Sequence, residues 1–370
     1  MKKLFSVFIL AGLLTNLAAQ TKILIKGTVK GDTKGFNKIY FFGDNVKEDS
    51  VVMKNGSFTI SIPWVEGAVP FLYSEYDSKV IQGPVAFQLV PDGPGTIYLK
   101  VADITKGMFS GTVSGNKTAV AFHRFETGNR KLNEEIKAEM EKRFPQPDKK
   151  DTNRTKAYVK LKQEKVLPYV SDFVERNASS YIGAYVLNRY QNMLATQDLE
   201  SLYRKLSPAQ QASTVGKPIG DHLNGLKLAV VGNQVTDFTL ATPQEDSITF
   251  SSLRGKYVLI DFWSSWCGPC KASFPHMKLV YEKYGGEKFE ILGISIDEVK
   301  AAWLKELKNQ ELPWPQVLDT KKVYVSGFGV TGVPTTFLIS PEGKILMKEI
   351  GFDKNGNGQI EKKLKELFEK

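Results

Sequence analysis

Between Tyr257 and Trp263 lie seven residues that are apolar or aromatic except for Asp261, then Ser264-Ser265-Trp266, then Cys267-Gly268-Pro269-Cys270-Lys271. An unbroken apolar run of that length, closed by a polar break, reads as a strand buried on both faces. The stretch from Cys267 to about Tyr284 reads as a helix. A buried strand that runs through a short loop into a helix opening on cysteine calls for helices packed on a sheet. It also places the first thiol at a helix N-terminus and the second one turn on.

The chain is 370 residues long and contains only these two cysteines. A bond closing so small a loop removes little entropy from the unfolded chain, so stapling is not its main use. Redox chemistry or metal binding is left. Zinc would need two further ligands, and the only histidines are His123, His222 and His276. Haem attachment would need histidine directly after the second cysteine, where Lys271 stands. The expected metal and cofactor complement is therefore none.

Met1 to Gln20 opens with Lys2 and Lys3, is apolar from Leu4 to Leu14, and ends with the small residues Ala18 and Ala19 before Gln20. That is the layout of a secretory signal, with an apolar core shorter than the roughly 20 residues that span a bilayer. Residues 1–19 are expected to be cleaved, leaving a protein soluble in the periplasm or cell envelope. The formal charge of +10 is dispersed. Its densest cluster, Lys149 to Lys165, is interleaved with Asp148, Asp151 and Glu164, as on a solvated helix face, so nucleic acid is not an expected partner.

A chain of this length predicts two or three domains. Residues 20–114 alternate as strands do, in Ile23-Leu24-Ile25, Lys38 to Phe42, Ser57 to Ile62 and Thr96 to Val101, with turns at Asn55-Gly56 and Asp92-Gly93-Pro94-Gly95. A small antiparallel β-sandwich is expected there. Over residues 115–230 the period becomes helical, as in Val166, Val170, Phe173 and Val174, with breaks at Pro145, Pro147 and Ser207-Pro208. Several short helices forming a connector are expected. From 231 to 370 strands at Tyr257 to Trp263, Phe289 to Ile296, Thr335 to Ile339 and Lys344 to Ile350 alternate with helices at Cys267 to Tyr284, Val299 to Leu307 and Gln359 to Glu369, which predicts an α/β domain: a mixed sheet with a closing hairpin, covered by helices on both faces.

Backbone N–H groups and the helix dipole at the start of the helix stabilise a thiolate, holding Cys267 below a free cysteine's value of about 8.5 and making it the nucleophile. Cys270 can then attack the mixed disulfide that Cys267 forms and release the reduced product. Asp261, in an apolar strand, should have a raised pKa suited to a general base near neutral pH.

The run from Val258 to Lys271 resembles thioredoxin, and the resemblance covers about 140 residues. It implies a thioredoxin fold from 231 to 370, and it implies that Asp261 accepts the proton of the resolving cysteine. Pro275 matches the proline that kinks the family's active-site helix. Gly332-Val333-Pro334-Thr335-Thr336-Phe337 matches the loop that holds a cis-proline beside the disulfide. The Val333 backbone would then pair with an extended substrate, and Trp266, Gly268, Pro269, Val333 and Pro334 form the implied substrate-binding rim.

Two departures stand out. Gly293 occupies the place of the family's lysine beside the buried carboxylate. The stretch before Pro334 is lengthened by a helix at Ala301 to Leu307 and by Leu312-Pro313-Trp314-Pro315. That insertion resembles exported reductases of the cytochrome-maturation type and their relatives in the alkyl-hydroperoxide-reductase superfamily. The full layout resembles Bacteroidetes envelope proteins with an N-terminal β-rich domain.

The resemblance implies a protein-disulfide reductase that acts on disulfide-containing envelope proteins and is recharged by a membrane-bound thiol donor. A redox-regulated adaptor, a disulfide isomerase and a thiol peroxidase are the alternatives. A homodimer through the first two domains is as compatible with the sequence as a monomer.

Overall fold

The computed structural model describes residues 21–82, 86–145, 152–351 and 358–369. The expected signal, residues 1–19, lies outside them. The chain divides into two compact units, residues 1–216 and 217–370.

The first unit begins with β1 (Lys22–Val29), β2 (Lys38–Asp44), β3 (Val46–Val52), β4 (Ser57–Pro63), β5 (Val69–Ser74), β6 (Phe87–Gln88), β7 (Gly95–Val101) and β8 (Thr112–Ser114). They form two four-stranded sheets, ordered β4-β1-β7-β8 and β3-β2-β5-β6. Alternation turns Ile23 and Ile25 of β1 and Ile97 and Leu99 of β7 into one core with Ile39 and Phe41 of β2 and Leu72 of β5. The sandwich is antiparallel except at β1–β7, which pair parallel. Parallel neighbours need a long crossover, and the five intervening strands supply it.

Among the described residues five α-helices follow: α1 (Lys117–Arg143), α2 (Thr152–Arg176), α3 (Tyr181–Tyr190), α4 (Thr196–Lys205) and α5 (Pro208–Gln211). The sequence predicts short helices throughout, yet α1 has 27 residues and α2 has 25. Pro168 lies inside α2 without ending it. Val166, Val170 and Val174 keep one buried face on both sides of the proline, and that packing outweighs the lost backbone bond. Phe125 of α1 meets Tyr169 and Phe173 of α2, with ring centroids 5.3 and 4.7 Å away. Asn188 and Arg189 of α3 bond within the unit, to the Val215 carbonyl and the Glu126 carboxylate.

The second unit contains α6 (Lys217–Leu228), β9 (Thr239–Ala241), β10 (Ser247–Thr249), β11 (Tyr257–Trp263), α7 (Gly268–Tyr284), β12 (Phe289–Ser295), α8 (Lys300–Gln310), β13 (Gln316–Leu318), α9 (Val323–Ser326), β14 (Thr335–Ile339), β15 (Ile345–Ile350) and α10 (Gln359–Phe368). Helix α6 precedes the boundary that patterning places at residue 230. It joins this unit because Gly225 brings it against the backbone of Val325 and Gly329, where a Cβ has no room.

The sheet runs β10-β9-β13-β12-β11-β14-β15. β11, β12 and β13 are parallel to one another, and the outer pairings are antiparallel. On β11, Val258, Ile260 and Phe262 enter the core on one face with Phe328 and Phe337. Leu259 and Trp263 enter the core on the other, with Phe274 of α7, Trp303 of α8 and Leu364 of α10. This is a thioredoxin fold, with helices on both faces of a mixed sheet. Among the described residues no helix is long and apolar enough to cross a membrane.

Candidate redox site

The period of β11 decides where its one acid points. Residue 261 shares the face of Leu259 and Trp263, beneath α7 and α10, and Asp261 is 1% exposed. Neither carboxyl oxygen has a hydrogen-bond partner among the described residues. Burial raises the carboxyl to about 7. A neutral carboxyl there costs about 1–3 kcal/mol, within what full burial of Phe262 and Trp263 contributes at about 1.5–3 kcal/mol each.

β11 stops at Trp263 because the next residues turn into a pinned loop. The Asp297 carboxylate, just past β12, accepts from the Ser265 N–H at 2.9 Å and the Ser265 hydroxyl at 2.7 Å. The Lys271 ammonium donates to the Ser265 carbonyl at 3.1 Å. These bonds hold the loop so that Cys267 is the N-cap of α7. Its Sγ accepts from the Cys270 N–H at 3.1 Å, one of the orphan donors of a helix start.

Cys267 and Cys270 are joined in a disulfide with Cα atoms 5.3 Å apart. Both are buried, at 4% and 1% exposure, whereas Trp266 beside them is 68% exposed. Gly268 and Pro269 are exposed too. Across from the sulfurs, the Val333–Pro334 peptide bond is cis, and the Val333 carbonyl oxygen lies 3.6 Å from Cys267 Sγ. The Thr335 hydroxyl donates to the Gly332 carbonyl at 2.7 Å, and the Gly351 N–H donates to the Pro334 carbonyl at 2.9 Å, bracing the loop. The N–H of Val333 has no partner among the described residues.

Asp261 lies opposite Gly293 of β12 on one side and Thr336 of β14 on the other. Gly293 in turn lies opposite Gln316 of β13. The Gln316 amide lies over Gly293, where a side chain on residue 293 would stand. Gln316 Oε1 accepts from Trp263 Nε1 at 3.0 Å. The space beside the carboxyl on this side therefore holds a neutral amide, not a cation.

Sequence reading missed Asp297 and Gln316. An acid closing the strand next to the cysteine strand was a usable signal for the first. For the second there was none, since Gln316 arrives only through the register of β13. Among the described residues no three His, Cys, Asp or Glu side chains gather as a metal site would.

Two sulfurs that can open and close at a helix mouth, with a backbone carbonyl against the first, define the class: a thioredoxin-fold dithiol–disulfide site. Residues 231–348 match the AhpC/TSA family. The thiol-disulfide oxidoreductase ResA of Bacillus subtilis (strain 168) is 36% identical over 115 residues, which are 31% of this chain and 64% of that protein. The chain thus spans a little under two thirds of that relative. ResA of Bacillus anthracis is 31% identical over 121 residues, 33% of this chain and 70% of the relative.

Among solved structures, a putative thiol:disulfide interchange protein DsbE from Chlorobium tepidum is 31% identical. It covers 36% of this chain and 95% of its own, with a TM-score of 0.35. The thioredoxin domain of a Bacteroides vulgatus thiol-disulfide oxidoreductase is 29% identical. It covers 37% and 97% respectively, with a TM-score of 0.34. The chain belongs to the thiol-disulfide oxidoreductases of the thioredoxin-like AhpC/TSA family.

Proposed function

We propose that this chain is an exported reductase of disulfides in cell-envelope proteins. The observation that carries the reading is the position of Cys267 Sγ, capped by the Cys270 N–H and facing the Val333 carbonyl. In the reduced protein, helix-start donors stabilise the Cys267 thiolate, which attacks one sulfur of a substrate disulfide. A mixed disulfide forms and the other substrate sulfur leaves as a thiolate.

Asp261 takes the proton of Cys270. The Cys270 thiolate then attacks Cys267 Sγ, expelling the second substrate thiolate and closing the Cys267–Cys270 bond. Two electrons have passed to the substrate, and a membrane-bound thiol donor returns them. The N–H of Val333, without a partner among the described residues, and its carbonyl suit an extended substrate segment held as a short added strand, with Trp266, Gly268 and Pro269 as the exposed rim. The signal-like residues 1–19 support export.

The reading is tested by the equilibrium potential of the pair against glutathione, read by thiol alkylation, with Cys267→Ser as the control. A value near or below about −230 mV is expected of an electron donor, whereas one above about −180 mV places the protein with oxidants and isomerases and overturns the direction assigned.

A further inference from the structure

The carboxyl that handles the Cys270 proton has no water-exposed surface of its own, so each turnover requires a path between Asp261 and solvent. A cavity of about 80 Å³ reaches it between β11, β14, α7 and α10. A single water needs about 10–15 Å³ of such space, so several fit. The walls are mostly apolar. Among the described residues the polar groups on them are Asp261, Ser273, His276, Thr336, Glu349 and Glu361.

Two of these are committed elsewhere. The Ser273 hydroxyl donates to the Cys270 carbonyl at 2.7 Å. The Glu349 carboxylate accepts from the N–H groups of Gln359 and Ile360, 3.3 Å each, at the start of α10. Thr336 cannot change its charge. On the β12 and β13 side the row continues with Gly293 and the Gln316 amide, neither of which titrates. What is left is His276 of α7, whose Nε2 lies 3.0 Å from Glu361 Oε2 of α10. Their side chains are 33% and 20% exposed, so the pair touches both the cavity and the solvent. Lys365, 3.3 Å from Glu361 Oε1, is the nearest cation on α10.

We propose that Asp261 exchanges its proton with solvent through this cavity, with the His276–Glu361 pair as the relay at its mouth. The inference rests on the reductase reading and deepens it. When Cys270 gives its proton to Asp261, water in the cavity carries that proton to the imidazole, which passes it to Glu361 or to solvent. No electrons move in the relay, and Asp261 returns to its carboxylate for the next cycle. An imidazole suits the task because it can accept on one ring nitrogen while donating from the other. His276 and Glu361 act through Asp261 and touch neither sulfur nor substrate, so they are positioning residues for the proton.

The test uses the reduced full chain and a chromogenic aromatic disulfide in stopped flow. The first phase reports attack by Cys267, and the second reports attack by Cys270 with its proton transfer. His276→Leu is expected to slow the second phase about tenfold, to leave the first phase and the reduction potential unchanged, and to recover when imidazole is added to the buffer. Should His276→Leu fail to fold, Glu361→Gln is read by the same criteria.

A second phase that neither variant slows overturns the relay. So does a slowing that imidazole does not rescue, which marks a packing role. If the unmodified chain shows no second phase at all, the reductase reading falls together with the relay, and this separates the two failures.

Discussion

The Val333 carbonyl oxygen lies 3.6 Å from Cys267 Sγ, although the two residues are 66 positions apart in the chain. Any substrate sulfur that approaches Cys267 therefore does so beside the Val333 backbone, whose N–H has no partner among the described residues. Cys270, at 1% exposure, is screened from the same approach.

That asymmetry assigns the two sulfurs different fates. Cys270→Ser removes the resolving thiol and is expected to leave substrate proteins trapped on Cys267 as mixed disulfides, seen as higher-mass bands that vanish on reduction. Cys267→Ser is expected to trap none. Equal trapping by both variants would reverse the assignment of nucleophile and resolver.

Asp261 should make stability depend on pH. Its carboxyl is raised from 3.8 to about 7 by burial, so between those values the folded chain binds more protons than the unfolded one. The contribution is most favourable below the unfolded pKa, is lost as pH rises from about 4 towards 7, and stays lost above it. At about 1.4 kcal/mol per unit the full penalty is on the order of 4 kcal/mol. Asp261→Asn should flatten this slope in denaturant unfolding at pH 5 and pH 8, with the disulfide intact. It should also slow the Cys270 step about tenfold or more. An unchanged slope would place the titrating group elsewhere.

The row Asp261, Gly293, Gln316 predicts a non-additive pair. A methyl group on residue 293 meets the Gln316 amide, which is held by Trp263 Nε1. Gly293→Ala should destabilise the protein by about 1–3 kcal/mol through that displacement and shift the Trp263 fluorescence. In a Gln316→Ala background the same change should be close to neutral, a coupling that a double-mutant cycle in urea measures. Additive effects would mean that the amide does not hold that space.

Much of the second unit is legible in local pattern. The strands that become β11, β12, β14 and β15 and the helices that become α7, α8 and α10 follow from apolar runs and period. Of the insertion before Pro334, the helix that becomes α8 was legible. The strand β13 that follows it, beside β12, was not, and it changes what surrounds Asp261. In the first unit, β3 and β5, like the short β6 and β8, are not among the alternating runs. β3 exposes most of its residues, and β5 carries apolar or aromatic residues at every position but its last, so its sequence lacks the apolar–polar alternation that marks a half-exposed strand. Pattern placed helix α6 with the connector of residues 115–230, because its attachment to the second unit depends on Gly225 meeting a backbone about 100 residues away.

The amino-acid sequence by itself determined the chemistry that is available: two thiols one helical turn apart at a helix start, and one acid in a strand that had to be buried. Those are local consequences of periodicity, apolar content and the unpaired N–H groups of a helix terminus. Only the tertiary structure decided what surrounds them. It set the Val333 carbonyl against Cys267, the Gln316 amide over Gly293, and His276 beside Glu361, 85 positions on. Each of these depends on strand register or on helix docking between distant segments, and a slip of one residue would turn every side chain of a strand to the opposite face.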